Sequence, residues 1–167
     1  MKIDQNTLKS LLHYNTETGI FTWLVSGGKA KIGKIAGSVR ADGSVGISIS
    51  GKTHRAHRLA WLYMTGSFPD KFIDHRNRTP TDNRWLNLRL ATPLQNSANC
   101  KLASHNTSGK KGVSKHRRKG WNAAIQVSGK SIYLGTYSTT EEAGKAYDAA
   151  AIKYFGEFAA PNNIISP

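Results

Sequence analysis

Apolar residues fall at helical spacing over residues 3–14, where Ile3, Leu8, Leu11 and Leu12 predict a short helix. Thr18-Gly19 closes that segment ahead of a β-like run over residues 20–25. Residues 26–55 alternate β-branched and small positions, as in Val45-Gly46-Ile47-Ser48-Ile49, with Asp42-Gly43 as a hairpin turn, so a small antiparallel sheet is expected. Helical spacing returns over residues 57–63, is broken by Gly66 and Pro69, and resumes over residues 93–102 with Pro93 in the first turn. Residues 104–109 carry no large apolar side chain and read as a linker. Three more β-like runs follow at residues 112–115, 121–127 and 131–137. Thr139-Thr140-Glu141-Glu142 then forms a capping box, and Ala143, Ala146, Tyr147, Ala150, Tyr154 and Phe155 repeat as one apolar stripe. A stripe of this kind needs a sheet to cover. The pattern as a whole predicts an α+β chain of two modules, residues 1–105 and 106–167, the second a three-stranded antiparallel sheet packed on one helix.

Charge changes this picture from a fold to a partner. The 167 residues hold 24 Lys+Arg against 10 Asp+Glu, a net charge of +14. Self-repulsion of that size is tolerated where the partner is a polyanion, with nucleic acid first and an anionic membrane surface second. Within the second module, Lys110, Lys111, Lys115, Arg117, Arg118, Lys119 and Lys130 precede any acid, whereas Glu141, Glu142, Asp148 and Glu157 lie on or beyond the helix. The sheet is therefore the expected anion-binding face, with Trp121, Tyr133 and Tyr137 able to stack or pack beside a backbone. No apolar run is long enough to span a membrane, and MKIDQNTLKSLLHYN lacks the apolar run of a signal peptide, so a cytoplasmic, non-secreted protein with no membrane partner is expected. Cys100 stands alone, which excludes an intramolecular disulfide and a multi-cysteine zinc site.

The densest polar text runs over residues 73–89, followed by Gln95-Asn96-Ser97-Ala98-Asn99. Core packing does not call for so many amides and guanidinium groups. On an extended segment Asp74 and His75 point to opposite faces, so one can hold a metal while the other addresses a water. Amide and carboxylate oxygens suit a hard cation. A divalent ion that polarises a phosphodiester, beside an imidazole that deprotonates water, makes a one-metal phosphodiesterase.

His57-Arg58-Leu59-Ala60-Trp61, Ile73-Asp74-His75, Asp82-Asn83-Arg84, Asn87-Leu88-Arg89 and Gln95-Asn96-Ser97-Ala98-Asn99 resemble the HNH endonucleases of phage and intron origin, the ββα-metal (His-Me) nucleases. The resemblance spans roughly residues 5–103. It implies His75 as general base, Asp74 and Asn96 as ligands of one divalent ion, and Asn87 as the residue that pins the catalytic loop. Many members have His at the third position; Asn96 makes the site harder and implies Mg²⁺ or Mn²⁺ rather than Zn²⁺. Asn99 is an alternative ligand one turn later. His57 is open between orienting the metal loop and a buried structural contact, whereas His13, His54 and His105 have no partner in the text. Arg58, Arg76, Arg78, Arg84 and Arg89 are candidates for contacts to the DNA backbone.

Lys111-Gly112-Val113, Trp121-Asn122-Ala123-Ala124-Ile125, Leu134-Gly135-Thr136-Tyr137, Glu141-Glu142-Ala143 and residues 146–151 resemble the Apetala/ethylene-response-factor DNA-binding domain. That resemblance implies a sheet docked in the major groove, with contacts from Lys111, Ser114, His116, Arg118, Trp121, Gln126 and Tyr133. Ser114 and Gln126 stand where plant members carry Arg, so their base sequence does not transfer. Together the two resemblances imply a site-selective, homing-type or nicking endonuclease of phage origin acting on double-stranded DNA and leaving 5′-phosphate and 3′-hydroxyl ends, as a monomer or a dimer. A DNA-binding regulator with an inactive nuclease module is the alternative; an RNA-binding protein is a third reading, without an RNA-recognition motif to support it.

Overall fold

A computed structural model describes residues 3–162 of the chain. It divides into two compact units, Met1–Ala91 and Thr92–Pro167. Both are α+β.

In the first unit, helix α1 (Gln5–Leu11) starts at Asp4, whose carboxylate accepts from the Thr7 amide at 2.7 Å. The helical spacing runs on to residue 14, yet the helix stops at Leu11. Leu12–Tyr14 is strand β1, paired antiparallel with β2 (Phe21–Trp23). Leu12 and Tyr14 face inward with His13 between them, and this period of two overrides the helical one. Gly19, at φ +72°, closes the intervening turn against the backbone of Asn83 and Arg84, where a Cβ would not fit. Strands β3 (Ser38–Val39), β4 (Val45–Ile49) and β5 (Lys52–Arg55) form the expected small antiparallel sheet in that order. Helix α2 (Ala56–Thr65) follows without a loop and buries Leu59, Ala60 and Leu62 in a core shared with Leu8, Leu12, Phe21 and Ile47. A further hairpin, β6 (Phe72–His75) and β7 (Leu88–Ala91), is closed by a loop that ends in the 3-10 turn Trp85–Asn87.

The second unit opens with helix α3 (Pro93–Ala98), started by a capping box between Thr92 and Gln95. Strands β8 (Val113–Lys115), β9 (Trp121–Val127) and β10 (Lys130–Tyr137) pair antiparallel with β9 central. Helix α4 (Thr140–Phe155) covers this sheet through Ala143, Ala150 and Ala151, which pack with Val113, Ala123 and Ile125. The stripe read from the sequence is shifted at its end: Ala151 is buried and Tyr154 exposed. The boundary at 105/106 read from the sequence leaves α3 with the first module, whereas here it lies in the second unit. None of its own residues is buried; it rests against α4 and the 3-10 turn Gly156–Phe158. Among the described residues no helix is long and apolar enough to cross a membrane.

Candidate nuclease site and DNA-binding sheet

The β6–β7 hairpin sets two side chains back to back. Asp74 lies opposite Arg89 and His75 opposite Leu88 in the register. Asp74 Oδ2 accepts from Arg89 Nε at 2.8 Å, with both side chains 7% exposed. Arg89, expected at a phosphate, thus sits in a buried ion pair behind the strand. A guanidinium at this inward position of β7 is tolerable because a carboxylate faces it.

On the other face, His75 Nε2 lies 3.2 Å from Asn83 Oδ1. The Asn83 amide nitrogen donates to the Thr81 carbonyl at 3.2 Å, which fixes which end of the amide meets the imidazole. The oxygen end requires an Nε2–H donor, so Nδ1 carries the lone pair. Burial holds the His75 pKa below its ordinary value, against the opposing pull of the Asn83 bond, Asp74 and Asp82. A neutral imidazole with Nδ1 as its basic atom results. His57, on the first turn of α2, meets the His75 ring edge to face at 5.2 Å between centroids. Its pKa is pushed down to about 3, first by burial and then by its neighbours His75, Arg55 and Arg58. Its Nδ1 is buried without a hydrogen-bond partner among the described residues.

Amides hold the loop beyond His75. Asn87 Oδ1 accepts from the Asn77 amide at 3.0 Å, and its nitrogen donates to Asn77 Oδ1 at 3.0 Å and to the Asp82 carbonyl at 2.7 Å. Tyr14 of β1 donates to the Asn83 carbonyl at 2.6 Å. Asn83 and Tyr14 thereby position the loop, a role that sequence reasoning missed, although Asn83 stood in the Asp82-Asn83-Arg84 motif and among crowded amides. Among the arginines, Arg76 and Arg84 are exposed and Arg78 is half-buried at φ +59°. Arg84 is paired with Asp82 at 2.6 Å, and this bond first of all holds the Asp82 carboxyl down at about 2. Arg58 donates to the Pro69 carbonyl at 3.3 Å.

Asn96 is exposed on α3, and Asn99 is buried at that helix's C-cap. No group of three His, Cys, Asp or Glu residues able to hold a metal occurs among the described residues. The proposed donors are one carboxylate and one amide oxygen. That set suits a hard cation with positions left for water and phosphate oxygens, and does not suit a closed zinc site.

On the second unit, Ser114, Gln126 and Tyr133 are exposed, with Tyr133 at 63%, and Arg118 is exposed beside them in sequence on the β8–β9 turn. His116 is half-buried. Two expected DNA contacts take other places. Trp121 packs against the cluster of Val113, Ala123 and Ala143. Lys111 is buried, and its ammonium donates to the Cys100 carbonyl at 3.2 Å and to the Ala160 carbonyl. Gly112, at φ +68° against the Tyr147 ring, turns the chain so that Lys111 points inward. Lys111→Ala should therefore leave carbonyls unsatisfied and destabilise the second unit by about 1–3 kcal/mol, with the salt dependence of DNA binding unchanged. Urea unfolding alongside binding titrations at two salt concentrations checks both halves.

The family model for HNH endonucleases matches residues 54–98. An uncharacterized HNH endonuclease of Acanthamoeba polyphaga mimivirus is 38% identical over 110 residues, covering 65% of this chain and 57% of that protein. Protein 3.8 of Escherichia phage T7 is 38% identical over 81 residues, 47% of this chain and 67% of its own length. An AP2-like ethylene-responsive transcription factor of Oryza sativa subsp. japonica is 54% identical over 55 residues, 31% of this chain and 9% of the plant protein. The chain thus spans little more than half of the mimivirus relative and a small part of the plant one.

Proposed function

The chain belongs to the HNH endonuclease family, and on that premise we propose that it is a metal-dependent DNA endonuclease of homing or nicking type, whose sheet-and-helix unit selects the DNA. The carrying observation is the amide-oriented His75 on one face of β6 with buried Asp74 on the other. His75 Nδ1 takes a proton from the water that attacks phosphorus in line, and the Asn83 bond at Nε2 steadies the imidazolium formed. Asn87 holds the loop so that Arg76 and Arg78 flank the scissile phosphate. Asp74 and Asn96 are the residues that would hold one Mg²⁺ or Mn²⁺. Such an ion, when bound, supplies charge stabilisation at the phosphate and the departing 3′ oxygen. One such site per chain cuts one strand, so a monomer nicks, and a double-strand break takes two chains or two events. On the second unit, Arg118, Ser114, His116, Gln126 and Tyr133 face the duplex.

Incubation of the full chain with supercoiled and genomic phage DNA in Mg²⁺ tests the reading. Nicked product with 5′-phosphate ends, abolished by excess EDTA and by His75→Ala, is expected. Tight DNA binding with no cleavage in either metal would replace it with a DNA-binding regulator.

A further inference from the structure

One basic stretch of the first unit belongs to neither the nuclease hairpin nor the second unit. Between Glu17 and Asp42 the chain has no acid but carries Lys29, Lys31, Lys34 and Arg40. Arg40 approaches Asp42 at 4.0 Å. The three lysines are exposed, and none has an ion pair with a described residue. Interleaved with them, Ile32, Ile35 and Val39 are 67%, 65% and 64% exposed. A single exposed aliphatic residue needs no explanation, but three within eight positions mark a surface that meets something.

This arm is held in shape. Gly27 and Ala30 exchange backbone hydrogen bonds at 3.0 and 2.9 Å, and the Ile32 amide donates to Ser26 Oγ at 3.1 Å. The Trp23 amide donates to the Lys34 carbonyl and the Gly33 amide to the Trp23 carbonyl, at 2.9 and 2.8 Å, fastening the arm to β2. The arm also borders the catalytic loop. Ile35 and Val39 share a cleft of about 190 Å³ with Thr81 and Asn83, the residue bonded to His75.

We propose that residues 27–39 are a second DNA-binding element, which sets Lys29, Lys31 and Lys34 on phosphates and inserts Ile32 into a groove of the duplex beside the cut. The proposal rests on the DNA-cleaving reading above. Cations alternating with aliphatic side chains leave no purely apolar face for a protein partner, and three unpaired positive charges call for a polyanion. An aliphatic wedge between phosphate-binding lysines opens a base step and bends the duplex at modest cost. Contacts of this kind add affinity without base preference. The arm therefore supplies grip near the active site, and choice of sequence falls to the other unit.

The test uses the full chain with Lys29→Gln, Lys31→Gln and Lys34→Gln combined, and Ile32→Ser separately, each with wild-type circular dichroism. All are exposed, so folding should hold. Fluorescent duplex DNA is titrated at several salt concentrations in the His75→Ala background, which keeps the DNA intact. The triple variant should bind roughly 10²-fold more weakly at 0.1 M salt, with a log K against log salt slope shallower by about 2.7 units, since each phosphate contributes about 0.9. Lysine-to-arginine replacements at the same places should restore the slope. Ile32→Ser should keep the slope but lose the bend, read by end-to-end energy transfer on the duplex. Wild-type slope and bend in both variants would overturn the proposal while leaving the nuclease reading intact. Loss of binding to anionic phospholipid vesicles by the triple variant, with DNA affinity kept, would overturn it in favour of a membrane. A wild-type chain that neither binds nor cuts DNA would sink both readings together.

Discussion

Replacing His75 with alanine is expected to slow single-turnover cleavage of duplex DNA by about 10²- to 10⁴-fold, the usual worth of one general base, with DNA affinity close to wild type. The expectation rests on two features of the imidazole. Burial keeps it neutral, and Asn83, itself fixed by the Thr81 carbonyl, commits Nε2 to donating so that Nδ1 is the atom with a lone pair. Asn83→Ala leaves the base but frees its ring, and should fall between His75→Ala and wild type in rate while sparing affinity. His75→Ala cleaving near the wild-type rate would remove His75 from the chemistry. Asn83→Ala as slow as His75→Ala, with the fold intact, would mean that orientation and tautomer account for nearly all of what the imidazole contributes.

The residues that carried this reading were legible because their signals are local. Asp74 and His75 are adjacent, and strand alternation alone puts them on opposite faces. Ala143, Ala150 and the Thr139–Glu142 capping box announce α4 through spacing within one helix. What stayed hidden depends on partners far along the chain. Strand β7 is four residues long with an arginine at an inward position, and Asp74, 15 residues earlier, helps to make that arginine acceptable there. Lys111 stands in a run of cations that reads as surface, yet its place is decided by the carbonyls of residues 100 and 160. The same holds for α3. Its spacing shows a helix, but with no buried residue of its own nothing local says which core it joins. Trp121 follows the same logic in reverse: an aromatic residue among cations suggests stacking on a ligand, whereas the alternation of β9 sends it under the sheet beside Val113.

Asp74→Ala is expected to have the largest effect of any single substitution, because it strikes stability and catalysis by separate routes. Removing the carboxylate takes away the oxygen that accepts from the buried Arg89 guanidinium at 2.8 Å, and breaking a buried pair from one side costs about 3–5 kcal/mol. It also removes the only formal negative charge proposed for the metal site, so cleavage should fall below detection even where the protein stays folded. Asn96→Ala should be milder, losing a neutral donor and regaining rate as Mg²⁺ is raised. The two routes separate in the double variant Asp74→Ala/Arg89→Met, where an apolar side chain of similar reach replaces the guanidinium. That protein should regain most of its stability and none of its cleavage. Trp23, Trp61 and Trp85 lie in the first unit and only Trp121 in the second, so tryptophan fluorescence during urea unfolding follows mainly the unit that matters. Mn²⁺ binding by paramagnetic resonance supplies a readout independent of cleavage, and should be lost in both the single and the double variant. A single variant as stable as wild type would show that the Arg89 pair carries little of the hairpin. A stable double variant that still binds Mn²⁺ and nicks DNA would show that Asp74 is a structural partner of Arg89, with the metal held elsewhere.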